Sequence, residues 1–233
     1  MRKWGVLISL FYAVIVLGLI IPAASLLVDY HNPFSPEFFD SLRDFYGLWF
    51  TWFVAVILIA GEAILLFLTV DTSQKRLKPR THIAVSYSVT AVFFALLIFA
   101  GLSALGAAIF SDHFLTYAWA SDTEVIGIWA GLWLLWGAIF YLYTRNAPIA
   151  TTRILSWLLK GSVLELLIAV PCHVIVRRRH DCSAPIATGF GIATGVAVML
   201  LCFGPSVLLL YKKRLDSYSK CGSSVSVRSS PLS

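Results

Sequence analysis

Two carboxylates stand inside long apolar stretches of this chain: Glu62, in AVILIAGEAILLFLTV, and Glu165, in GSVLELLIAV. An ionisable group in such surroundings costs several kcal/mol unless it is paired, protonated or hydrated. Groups held under that penalty can take up and release protons or small cations. If two of them face each other, like-charge repulsion raises the pKa of at least one and makes a proton carrier. The bland alternative is a permanently protonated Glu, hydrogen-bonded to a hydroxyl or a backbone carbonyl. Lys160 precedes Glu165 by little more than one helical turn, so it either pairs with that carboxylate or snorkels to the interface.

A second cluster of reactive side chains runs from Pro171-Cys172-His173 to Arg177-Arg178-Arg179-His180-Asp181-Cys182. Thiolate and imidazole are metal ligands, but the spacing fits no zinc or haem motif and C-x-x-C is absent. Cys172, His173, His180 and Cys182 therefore leave three readings open: a Cys172–Cys182 disulfide, inert thiols, or a metal or redox centre. Arg177, Arg178 and Arg179 are candidates for binding an anion, since guanidinium forks match phosphate and carboxylate. They serve equally well as residues that snorkel to lipid headgroups. His31 and His113, with Asp29, Asp112, Asp122 and Glu124 near them in sequence, read more simply as solvated loop residues than as a metal site. No phosphate-binding loop, G-x-S-x-G elbow or H-E-x-x-H motif is present, which removes ATPases, common serine hydrolases and zincins.

Composition dictates what must position these groups. Of the 233 residues 59% are hydrophobic and 13% charged, with mean hydropathy +0.83. Soluble domains carry about 45–50% apolar and about 25% charged residues. A fold this size cannot hide such an excess, whereas lipid removes the need to. Six apolar runs are long enough to cross a bilayer: Val6 to Leu27, Leu48 to Val70, Ile83 to Phe110, Val125 to Tyr143, Ile154 to Val176 and Ile186 to Tyr211. The first is too long for the apolar core of a signal peptide, so an uncleaved helix is expected there. Between the first two runs, Ser35-Pro36-Glu37 reads as an N-cap with Pro at the first helical position. The expected fold is an all-α membrane protein, a bundle of about six transmembrane helices with a short interfacial helix in the first outer loop. The bundle occupies residues 1–214, and a disordered Ser-rich tail occupies 215–233.

Lys and Arg set the orientation. Arg2 and Lys3, the run Lys75 to Arg80, Arg145 with Arg153, and Lys212 to Arg214 all fall on one side, which puts both termini in the cytoplasm of a plasma or inner membrane. Arg177 to Arg179 dissent, since they land outside if the fifth run crosses; otherwise that run is re-entrant. The net charge of +6 belongs to this pattern and does not imply nucleic acid. Small residues four apart, Gly127/Gly131 and Gly191/Gly195, offer faces for a membrane partner or a second copy. Trp129, Trp133, Trp136 and Phe140 form a stripe suited to core packing or lipid contact. Pro171 and Gly204-Pro205 predict kinks.

The leading expectation is movement of a small solute, ion or proton through Glu62 and Glu165. The alternatives are an accessory or scaffold subunit of a larger membrane complex, and a redox or metal-binding enzyme using the outer Cys/His cluster. No cofactor is specified by the sequence.

Overall fold

A computed structural model of the chain describes residues 2–29, 35–71, 80–110, 122–144, 150–180 and 184–204. Among the described residues every regular element is a helix. Helix α1 comprises Arg2–Ile15, a π-turn at Val16–Ile20, and Ile21–Asp29. It is followed by α2 (Pro36–Gly47), α3 (Trp49–Asp71), α4 (Arg80–Phe110), α5 (Asp122–Thr144) and α6 (Ala150–Arg179). The last is α7, Ala184–Gly204. All but α2 contain an apolar stretch of 18 to 26 residues. At 1.5 Å per residue even the shortest covers roughly 27 Å, close to the thickness of a hydrocarbon core. The six expected segments are all present, as in a multi-pass integral membrane protein. Helix α6 runs through Pro171 as one 30-residue helix. The segment from residue 205 onward, with the expected kink at Pro205 and the Ser-rich tail, lies outside the described residues.

Helix α4 is the centre of the bundle and packs mainly against α5 and α6. Its Ala91, Ala95, Ala100, Ala104 and Ala107 are wholly buried. Lipid tails give helices no hydrophobic reason to associate, so close backbone approach over small residues supplies van der Waals contact instead. The aromatic stripe of α5 seals one side of α4. Phe94 meets Trp136 and Phe140 at ring distances of 5.0 and 5.1 Å, and the Trp133 indole donates to Ser88 O at 3.3 Å. The outer faces are also apolar: Leu10, Phe11, Leu134, Leu142, Leu164 and Leu167 are all exposed. An apolar exterior on this scale suits a surface solvated by lipid.

Helices α1, α4 and α6 end at the same face of the bundle. Arg177 donates to the carbonyls of Leu27 and Val28, the latter at 2.7 Å, and Arg179 donates to Ala108 O at 2.7 Å. The last carbonyls of a helix have no partner within it and carry the negative end of its dipole, so a guanidinium is well matched to them. At the opposite face α1 begins where α7 ends, since Ile8 lies against Gly204. The first and last described residues therefore lie at one side of the bundle.

The π-turn in α1 has a local cause. Ile21 N–H bonds to Val16 O, one residue further back than in an α-helix. Leu17 O thereby loses its α-helical donor, Ile21. Its π-helical donor would be residue 22, a proline with no N–H. The orphaned carbonyl is satisfied from outside, because the Tyr46 hydroxyl at the end of α2 donates to it. Burial pushes the Tyr46 phenol up from its ordinary value, which keeps the proton on the donor. As the sequence suggests, Ser35 caps α2, its hydroxyl accepting Phe38 N–H at 3.3 Å, with Pro36 in the first turn. On α2 Phe38 is buried, whereas Phe39 is 60% exposed. Ser25 and Ser41 hydroxyls, 3.1 Å apart, complete the seam between α1 and α2. Replacing Tyr46 by Phe strands Leu17 O and is expected to cost about 1–3 kcal/mol. Thermal unfolding of the detergent-solubilised variant measures that loss, and an unchanged midpoint would show that Leu17 O finds another donor.

Candidate functional site

Glu165 sits fifteen residues from the start of α6 and fourteen from its end, so its Cα is at the middle of the helix. It is 4% exposed, and neither carboxylate oxygen has a hydrogen-bond partner. Three glycines make room for it. A methyl group on Gly101 of α4 would stand 3.6 Å from Glu165 Cγ, and one on Gly191 of α7 would stand 3.1 Å from Oε1. On Gly195 it would overlap Oε2 and crowd Leu166 Cγ at 2.8 Å. The Cα hydrogens of Gly191 and Gly195 occupy those directions instead, so the carboxylate rests on bare helix backbone and receives only weak C–H contacts. Lys160 is exposed rather than paired with it. The Gly191/Gly195 face, read from sequence as a docking surface, is thus occupied inside the chain by Glu165, Leu166 and Ala169. Gly127 and Gly131 of α5 differ, having nothing within 4 Å of where a side chain would begin.

Glu62 occupies a separate niche. It is 1% exposed, and its Oε2 has no hydrogen-bond partner. A methyl group on Gly204, at the end of α7, would be 3.2 Å from Oε1. Tyr12 of α1 and Cys202 of α7 complete the neighbourhood. Tyr12 is committed elsewhere, its hydroxyl donating to Ala197 O at 3.0 Å. The two carboxylates do not face each other. Glu165 meets α7 at Gly191 and Gly195 and Glu62 meets it at Gly204, a separation of roughly 14 Å along that helix from Gly195. The two groups form a staggered pair, one at mid-bundle and one toward the end where the chain begins.

No protein-family model, curated protein or solved structure matches this chain.

The remaining sequence candidates are dispersed. Cys172 is a free thiol buried among Ala104, Ala107, Ala169 and Ala187, so the structure lends no support to a bridge with Cys182, which lies outside the described residues. His173 turns its Nδ1 to the Thr188 hydroxyl at 2.8 Å. Thr188 also approaches the Ala184 and Pro185 carbonyls, at 3.4 and 3.2 Å. A hydroxyl has one proton, so if Thr188 donates it to those carbonyls, His173 carries its own on Nδ1. His180 is exposed and ends α6 with φ 58°, its N–H reaching Arg177 O at 3.3 Å. Among the described residues no three of His, Cys, Asp and Glu gather as a metal would require. Two of the three candidate anion-binding arginines, Arg177 and Arg179, serve helix ends, while Arg178 is exposed. Their position at the end of α6 thus has a structural reason. His31, His113, Asp112 and Asp181 lie outside the described residues.

Sequence reasoning missed the three-glycine cradle and the bond from Tyr46 to Leu17. Gly101 carried no signal, because the residues four before and four after it are Leu97 and Leu105 rather than small ones. Pro22 was a partial one: in a regular α-helix it leaves Gly18 O without a donor, and it deprives Leu17 O only once the π-turn has formed.

Proposed function

We propose that this protein moves protons, or a small cation in exchange for them, across its membrane, with Glu165 as the central binding group and Glu62 as a second station. The observation that carries this reading is Glu165: mid-helix, buried, both oxygens unpartnered, held among Gly101, Gly191 and Gly195. A group kept only for packing there would be better served by Leu or Met, because an unsatisfied carboxyl group in a membrane interior costs several kcal/mol. The staggered arrangement suits transfer in steps, with Glu62 toward the cytoplasmic side and α2 lying in the outer interface.

The test is reconstitution into liposomes that contain a pH-sensitive dye, with a proton gradient imposed against sodium or potassium. Protein-dependent collapse of the gradient is expected. If no gradient of either cation moves protons faster than in empty liposomes, the reading fails. The open Gly127/Gly131 face of α5 then favours the second reading, an accessory subunit that packs that face against a partner helix.

A further inference from the structure

We propose that His173 is a third relay group, passing protons between Glu165 and the end of the bundle where α1, α4 and α6 finish. The inference rests on the reading of Glu165 as a proton carrier. Helix α7 brings the groups into file. His173 meets α7 at Thr188, Glu165 meets it at Gly191 and Gly195, and Glu62 meets it at Gly204. Positions 188, 191 and 195 follow one another at helical spacing and share a face. The rise from Thr188 to Gly191 is roughly 4.5 Å, against roughly 14 Å from Gly195 to Gly204. Measured along α7, His173 is thus the nearer partner of Glu165. It is also the more accessible of the two, 9% exposed where Glu165 is 4% exposed.

The chemistry follows from the partners of the ring. His173 stands six residues before the end of α6, with Nδ1 held at 2.8 Å by the Thr188 hydroxyl. With Thr188 donating to the Ala184 and Pro185 carbonyls, Nδ1 carries the imidazole proton and Nε2 keeps the lone pair. Nε2 takes a proton from water and the ring becomes imidazolium. That N–H bond then breaks as the proton passes through water to Glu165, where a carboxyl O–H forms and the ring returns to neutral. Imidazole is the side chain whose charge changes near neutral pH, and His joins Asp and Glu in relays through membranes. Arg177, one turn further along α6, is the charge the ring feels, and its guanidinium is directed to carbonyls of α1. Helices α4 and α7 contribute Ala104, Ala107, Ala184 and Ala187 at this level, packed round the Cys172 thiol. A seam of alanines does not call for a buried polar pair, because a hydrogen bond returns little net of its desolvation.

The experiment compares proton movement by the full-length protein in dye-loaded liposomes with the thermal midpoint of each variant. His173→Asn puts an amide where Nδ1 stood, so the bond to Thr188 is kept while the titrating group is lost. Thr188→Val does the reverse. The relay predicts that His173→Asn slows proton movement about tenfold or more, while Thr188→Val slows it about twofold or less. The midpoint should fall further in Thr188→Val, so flux and stability rank the two variants in opposite orders. His173→Glu, which restores a titrating group, should be several times faster than His173→Asn. A merely structural histidine would make flux follow the midpoint. Undiminished flux in His173→Asn, equal losses in His173→Asn and Thr188→Val, or a His173→Glu no faster than His173→Asn would overturn the relay and leave Glu165 as the carrier. No proton movement by the wild type would overturn the carrier reading, and the relay with it.

Discussion

Glu165→Gln should abolish protein-dependent proton movement in liposomes while the protein stays folded and as abundant as wild type. Gln keeps the shape that Gly101, Gly191 and Gly195 accommodate, and as a neutral amide it escapes the charge penalty of a membrane interior. Stability should therefore be unchanged or slightly higher. The amide cannot take and release a proton as the carboxyl group does, so the expected reduction is to the background of empty vesicles. Infrared difference spectra across a pH titration give a second, independent readout: the variant should lose one protonated-carboxyl component of the wild type, that of Glu165, and keep that of Glu62. Full activity in Glu165→Gln would reduce this residue to a packing group. Glu62→Gln is the natural companion, and a partial loss there is expected from a station that lies off the central position.

The contrast between the two carboxylates shows what was legible in the chain and what was not. Six helices could be read from six apolar runs because bilayer thickness fixes the length of every crossing element. The cap at Ser35 could be read because its chemistry is local: one hydroxyl, one N–H three residues on. Burial of Glu62 and Glu165 followed from their neighbours in sequence. Their relation in space did not, because residue depth within a run leaves helix rotation undetermined, and rotation decides which helix face a side chain meets. The same gap explains the glycines. Gly127/Gly131 and Gly191/Gly195 have identical spacing, yet the first pair faces open space and the second pair holds Glu165. Arg177 and Arg179 are a third case. Counting charges made them a topological dissent, whereas their partners are carbonyls of α1 and α4 more than seventy residues away in sequence, where no local pattern reaches.

Gly195→Ala should be among the most damaging single-methyl changes in this protein, because the added group meets Glu165 Oε2 directly and Leu166 on its flank. Overpacking a filled core typically costs about 1–3 kcal/mol, and here the obvious escape, rotation of the carboxylate, is narrowed by Gly191 and Gly101. The resulting drop in thermal midpoint should be largely cancelled in Gly195→Ala/Glu165→Ala, where the truncated side chain leaves room for the new methyl. That recovery separates a steric role for Gly195 from a merely conformational one. Glycine-to-alanine in a helix otherwise stabilises by roughly 0.5–1 kcal/mol, so a purely conformational glycine would give a more stable single variant and no coupling. The cycle should instead show a coupling of about 1–3 kcal/mol, the range for side chains in direct contact. Additive effects would mean that Glu165 does not rest on Gly195. Gly127→Ala, with nothing within 4 Å to meet, is the internal control and should leave the midpoint unchanged or slightly raised.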